Sequence, residues 1–242
     1  MLGAGPAYTD RPGASGASYL LLEGDASLLL DVGHGSFANL ARAIEPSRVD
    51  GVAVSHLHPD HFIDLVALVH YLRYQVHPPG RVRVHAPRAL PERLDALLGE
   101  PGFTAAALDH VPLTASTAAI GPFELEARRI RHTDDSYAFR VRAGGTALVY
   151  SGDCGDANDL APLIRPGDVL LSEVSFGPGP VPAGAEHLDA NDVGALATRT
   201  RAGRVLLTHI QMGFSRAETL AIVRQRFAGP SGFVAPGDRH SL

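Results

Sequence analysis

The sequence predicts an α/β fold in which two packed β-sheets are flanked by helices. Three observations carry this expectation. The 242 residues are 45% apolar and 19% charged, enough to bury a core and too apolar for disorder, collagen or a charged coiled coil. Two stretches are each rich in short apolar strands and each has its own helices, the pattern of a layered body. No linker, fixed-period repeat or low-complexity tract interrupts them, so residues 1–242 read as a single domain.

In chain order, residues 18–23 and 27–31 (SYLLLE and SLLLD) are apolar runs joined by the turn pair Gly24-Asp25. A helix is expected over 37–44, and the apolar run 49–55 reads as a buried strand. Residues 60–74 place Phe62, Leu65, Val66, Val69 and Leu72 at helical spacing. A strand at 82–85 and a helix at 90–98 complete the first stretch. The second has strands at 123–131, 137–141, 147–150 and 169–173, then the loop 177–184 (GPGPVPAG). Asp189 as N-cap and Asp192 at N3 open a helix running to Arg201. A strand at 205–208 and a helix at 216–226 close the pattern.

Composition narrows the function. Net charge is −5, and all 21 basic residues are Arg, so the chain lacks the broad basic footprint of a nucleic-acid binder. The arginine groups at 81/83, 128/129/131 and 199/201/204 read as solvated faces. No apolar run reaches the ~18 residues of a membrane span. The opening residues MLGAGP have no charged and apolar leader regions, so the default location is cytoplasmic. Cys154, the one cysteine, cannot form an internal disulfide and excludes a zinc site built mainly of cysteines. A bound transition metal would need histidine and carboxylate ligands, and there are 12 histidines.

The decisive run is His56-Leu57-His58-Pro59-Asp60-His61, after the 49–55 strand and opening a helix. His56 and His58 share a side if the backbone stays extended, and Asp60 and His61 aim at a neighbouring spot. One loop can then serve two metal positions, with ligands that suit zinc and also iron or manganese.

At these residues the chain resembles the metallo-β-lactamase fold superfamily, whose signature is HxHxDH. Further motifs follow in the family's order: Asp31 in LLLDVG, His132 in RHTDDSYAFR, Asp153 in LVYSGDC and His209 in RVLLTHI. The resemblance implies an αββα sandwich of two mixed β-sheets. It implies one metal held by His56, His58, His132 and Asp153, and a second by Asp60, His61, His209 and Asp153. Asp31 would support the histidine loop without binding metal. The implied cofactors are two divalent ions, zinc first, manganese or iron otherwise, with a shared water whose pKa falls towards ~7.

Glu186-His187-Leu188-Asp189 resembles the histidine motif of the tRNase Z-like phosphodiesterase branch, though Asp189 stands where a small hydroxyl residue is usual. The SGD motif and the strand end LLSE are similar to the same branch. In that branch His187 would assist the leaving group, and Asp60 would orient the attacking hydroxide while holding its metal. Twenty residues separate His132 from Asp153, leaving no room for the long tRNA-gripping arm of the 3′-processing enzymes. With no lysine and a negative net charge, a small or cyclic phosphodiester is the expected substrate, nucleic acid is not, and the branch allows a homodimer. The alternatives are a lactone or thioester hydrolase, then a tRNA 3′-end endonuclease, then a non-catalytic metal-binding sensor. His34 is undecided, and His70, His77, His85, His110 and His240 carry no motif. A strand precedes the LGAG segment in the family, so the first sheet edge reads as clipped.

Overall fold

The first sheet starts as the expected hairpin. β1 (Tyr19–Glu23) and β2 (Ala26–Leu30) pair antiparallel with Glu23 opposite Ala26, and Gly24 takes the left-handed conformation the tight turn needs. The structure, a computed structural model, describes all residues 1–242. After α1 (Ser36–Ala43), strand β3 (Gly51–Ala53) joins β2 in parallel. The short α2 (Pro59–Phe62) and α3 (Leu65–Tyr74) lead to β4 (Val82–Ala86), and α4 (Leu90–Leu98) to β5 (Leu108–Pro112), giving the order β1-β2-β3-β4-β5.

The second sheet begins as an antiparallel meander of β6 (Thr117–Ile120), β7 (Phe123–Ile130), β8 (Ser136–Ala143) and β9 (Thr146–Tyr150). It continues in parallel through α5 (Ala157–Leu160), β10 (Val169–Glu173), α6 (Ala190–Thr200), β11 (Arg204–Thr208), α7 (Arg216–Arg226) and β12 (Ser231–Phe233). Both sheets are therefore mixed.

The layers follow from which face each apolar residue buries. Leu28 and Leu30 of β2 meet Phe123, Leu125, Val141, Leu148, Leu171 and Leu206 between the sheets. Leu29 points the other way, into a cluster with Val52, Val84 and the helical Leu40, Leu65, Leu68 and Leu94. On the opposite outer face Val149, Leu170, Val205 and Leu207 pack against Leu160, Val193, Leu196 and Val223. Strands buried on both faces read as continuous apolar runs, which is why LLL and VLL signalled them. This is the expected αββα sandwich, and no helix is long and apolar enough to cross a membrane.

Two expected elements are altered. The helix over 60–74 is broken at Ile63-Asp64. The Asp64 N–H donates to the Val32 carbonyl at 3.0 Å, and its carboxylate accepts from the Phe37 N–H at 2.8 Å. The 49–55 strand keeps ladder geometry only over Gly51–Ala53, because the Ser55 N–H turns to the Asp31 carboxylate at 2.6 Å. The Asp189 cap is present as a full capping box with Asp192.

The arginines are not all solvated. Arg140 of β8 and Asp168, just before β10, are about 95% buried and meet through two bonds of 2.7 and 3.0 Å. Asp168 also accepts from the Arg165 N–H at 2.9 Å. Deleting one partner strands a buried charge, so Asp168→Ala is expected to lower the unfolding free energy by about 3–5 kcal/mol, read from the urea midpoint. A change of less than about 1 kcal/mol would place the pair with ordinary surface bridges.

Candidate metal centre

The site sits where strands end. Asp31 follows β2 with φ 56°, a left-handed conformation that is costly for a residue with a Cβ and is kept where surroundings enforce it. Here they do: its buried carboxylate accepts from the Ser55 N–H, the Ser55 hydroxyl and the Tyr150 hydroxyl at 2.6, 2.7 and 2.7 Å. It also lies 2.7 Å from His61 Nδ1. Close approach of the chain is equally needed at Gly33, where a Cβ would fall 1.9 Å from the Asp60 carbonyl oxygen.

Two clusters result. In the first, His58 Nδ1 is 3.0 Å from His56 Nε2 and 3.1 Å from His132 Nε2. Asp153 Oδ2 stands 3.8 Å from His56 Nε2 and 3.7 Å from His132 Nε2. In the second, His61 Nε2 and His209 Nε2 are 3.3 Å apart, and Asp60 Oδ2 is 3.6 and 3.1 Å from them. Asp153 Oδ1 completes it at 3.4 and 3.5 Å from the same two nitrogens. One carboxylate thus presents an oxygen to each cluster. The first opens to solvent at His58, while the second is wholly buried.

These donors fit cations. The outward ring nitrogens have partners of their own: His56 Nδ1 with the Ser55 hydroxyl, His61 Nδ1 with Asp31, His132 Nδ1 with the Glu186 carbonyl and His209 Nδ1 with the Ser175 hydroxyl. Such partners fix the tautomer and turn the inner nitrogens into lone pairs aimed at one point, as around bound metals. Asp153 Oδ1 is buried without any hydrogen-bond partner, a costly arrangement that a cation would relieve. Histidine and aspartate clusters of this composition suit a dinuclear metal site in this fold.

Electrostatics differ between the two clusters. Burial and the neighbouring imidazoles hold His56 well below its ordinary pKa, and burial with His132 lowers His58, so both are unprotonated at neutral pH. Burial works against charge on His61, but Asp153 and Asp31 outweigh it and raise that imidazole well above its usual range. Burial likewise opposes ionisation of Asp153, and His209, His61 and His56 overcome it, holding the acid well below the carboxylate range. Burial pushes the Cys154 thiol up, which leaves it a small core residue.

His187 lies beside both clusters. Its ring centroid is 4.8 Å from that of His132 and 6.2 Å from that of His209. Nδ1 is 3.0 Å from Glu173 Oε1. Burial disfavours its charge, yet the bond and charge of Glu173 with help from Asp153 raise it to about 9. Glu173 itself, 1% exposed, also accepts the N–H groups of Cys154 and Ser175. The sequence reading passed over Glu173 as a site residue; the signal was an acid ending a buried apolar strand, the same pattern as Asp31. His34 joins neither cluster, and nor do His70, His77, His85, His110 and His240. A cavity of about 750 Å³ along β1 and residues 236–242 is lined by His240 and by none of the residues of the two clusters.

A family model described as a beta-lactamase superfamily domain matches residues 27–210. The chain belongs to the beta-lactamase superfamily. Among its relatives in the superfamily is an uncharacterized protein of Mycobacterium leprae, 30% identical over 239 residues, covering 96% of this chain and 84% of that one. The probable metallo-hydrolase YhfI of Bacillus subtilis is 29% identical over 214 residues, 84% of each chain. Its crystal structure superposes with a TM-score of 0.87, covering 98% of this chain and 95% of that one at 22% identity. A ribonuclease Z of Pyrobaculum calidifontis is 28% identical over 254 residues, 89% of this chain and 87% of that one. The likeness to a ribonuclease Z puts this member on the tRNase Z-like side of the superfamily.

Proposed function

We propose that this chain is a metal-dependent hydrolase that cleaves a small or cyclic phosphodiester. The observation that carries the reading is His187, pinned by buried Glu173 within ring-contact distance of both clusters. Cleaving a phosphodiester expels an alkoxide that needs a proton there, as does opening a lactone, whereas a thioester expels a thiolate that needs none. The relatives named as a metallo-hydrolase and a ribonuclease Z support hydrolysis in general and phosphodiester chemistry in particular.

In this reading His56, His58, His132 and Asp153 hold one divalent ion, and Asp60, His61, His209 and Asp153 hold the other. Two ions, zinc first, with manganese or iron as substitutes, would supply Lewis-acid activation of water and neutralise charge on the phosphoryl oxygens. Asp31 fixes the His61 ring from behind, and Asp60 orients the attacking group. His187 gives its proton to the departing oxygen, while Glu173 keeps the ring aimed. The net charge of −5 without lysine favours a small substrate over a long polyanion.

A substrate panel checks this: bis-aryl phosphate, cyclic nucleotides, a lactone, a thioester and precursor tRNA, assayed alongside elemental metal analysis. Turnover of the phosphodiesters by protein carrying two metal equivalents is expected. Activity confined to the lactone or thioester would replace phosphodiester cleavage with acyl hydrolysis by the same centre.

A further inference from the structure

The loops that carry the candidate ligands have left the sheets, so their carbonyl oxygens have lost ladder partners and need others. Two arginines supply them. Arg93, on α4, donates Nη1 to the Leu57 carbonyl at 2.9 Å, and Leu57 separates His56 from His58. Arg11, in the loop before β1, donates Nη1 to the Ile210 carbonyl at 3.0 Å. Its Nη2 reaches the Gln211 and Phe214 carbonyls at 3.3 and 3.4 Å, in the turn that follows His209. Thr9 Oγ1, 3.2 Å from Nη1, steadies the fork. The acceptors are backbone oxygens next to the ligands rather than the ligands themselves.

Each contact meets a specific need. His56 and His58 point to one spot only while the backbone between them is extended, and His58 has φ −81° and ψ 142°. The Leu57 carbonyl belongs to the peptide plane joining Leu57 to His58, so turning that plane swings the His58 ring. Arg93 prevents the turn. His209 sits at φ 57°, a conformation that persists in a residue with a Cβ only where neighbours over-determine it. Arg11, binding three successive parts of the next turn, over-determines it. Metal ligands tolerate only ~0.5 Å and 10–20° of drift, and backbone clamps of this kind hold within that margin.

We propose that Arg93 and Arg11 are positioning residues for the metal centre, Arg93 for the His56/His58 arm of the first cluster and Arg11 for the His209 arm of the second. The proposal rests on the two-metal reading and adds to it a separate clamp for each ion.

The test is zinc titration of the full chain, with affinity from chelator competition and occupancy read from long-range ¹H–¹⁵N spectra of the histidine rings. Methionine keeps the apolar stem of arginine and removes its donors. Arg93→Met is expected to weaken zinc ~10–100-fold at the first cluster, so that the His56, His58 and His132 rings respond late and His209 responds as in wild type. Arg11→Met should reverse the order. Arg93→Lys should rescue, since one donor serves one carbonyl; Arg11→Lys should not, since an ammonium lacks the guanidinium's fork. Equal loss at both clusters in both variants, or full rescue by Arg11→Lys, would reduce the arginines to general structural roles and overturn the proposal. Two tightly bound zinc ions in every variant would overturn it alone. Wild-type protein that binds no zinc would remove the two-metal reading and this one together.

Discussion

Asp153→Ala is expected to cost the protein both metal and turnover. Its two oxygens are the only carboxylate atoms shared by the clusters, Oδ2 near His56 and His132, Oδ1 near His61 and His209. Removing them takes one anionic donor from each position at once, which no single histidine variant can do. Elemental analysis after gel filtration should fall from two equivalents to one or fewer. The ions contribute several kcal/mol of transition-state stabilisation, and each 1.4 kcal/mol is a factor of ten. Turnover should therefore drop by ~10³-fold or more. Asp153→Asn separates charge from shape: the amide fills the space and can accept one bond, yet it cannot bridge as a carboxylate does, so metal should still be lost. Two equivalents retained in either variant would contradict the bridging role.

How much of this was legible beforehand depends on the distance over which each feature is determined. The strands of the sandwich were readable because burial on both faces makes LLL and VLL runs apolar throughout, and the Asp189–Asp192 capping box is complete within four residues. The edge strands β5, β6 and β12 were missed: Leu108–Pro112 buries only Leu108, Thr117–Ile120 alternates weakly, and Ser231–Phe233 is half-buried along its length. The break between α2 and α3 was hidden for a different reason: Asp64 gives its N–H to Val32, thirty-two residues upstream. In the site, HLHPDH announced itself because four donors fall in six residues. Glu173 ends a buried apolar strand as Asp31 does, but its partner His187 is fourteen residues away and meets it only on folding. Arg11 and Arg93 are further removed still. Their partners are carbonyl oxygens, which every residue carries, so no side-chain pattern could mark them.

His187→Ala tests the chemistry where Asp153→Ala tests the scaffold. His187 belongs to neither four-donor set, and Asp153 Oδ2 is 4.0 Å away, so both metal equivalents should remain. A positioned proton donor contributes about 10²–10⁴-fold, and kcat should fall by that factor. The size of the fall should depend on the leaving group. A nitrophenolate departs without much help, whereas a ribose or alkyl oxygen needs the proton, so the aryl ester should lose far less than the alkyl one. Glu173→Gln should follow the same ordering more gently: the ring keeps a hydrogen-bond partner but loses the charge that keeps it protonated. An equal loss on aryl and alkyl esters would show that His187 binds substrate and does not donate the proton. Unchanged rates on both would leave Glu173 and His187 as a buried structural pair, and the acyl-hydrolase alternative would then lose nothing by comparison with the phosphodiesterase.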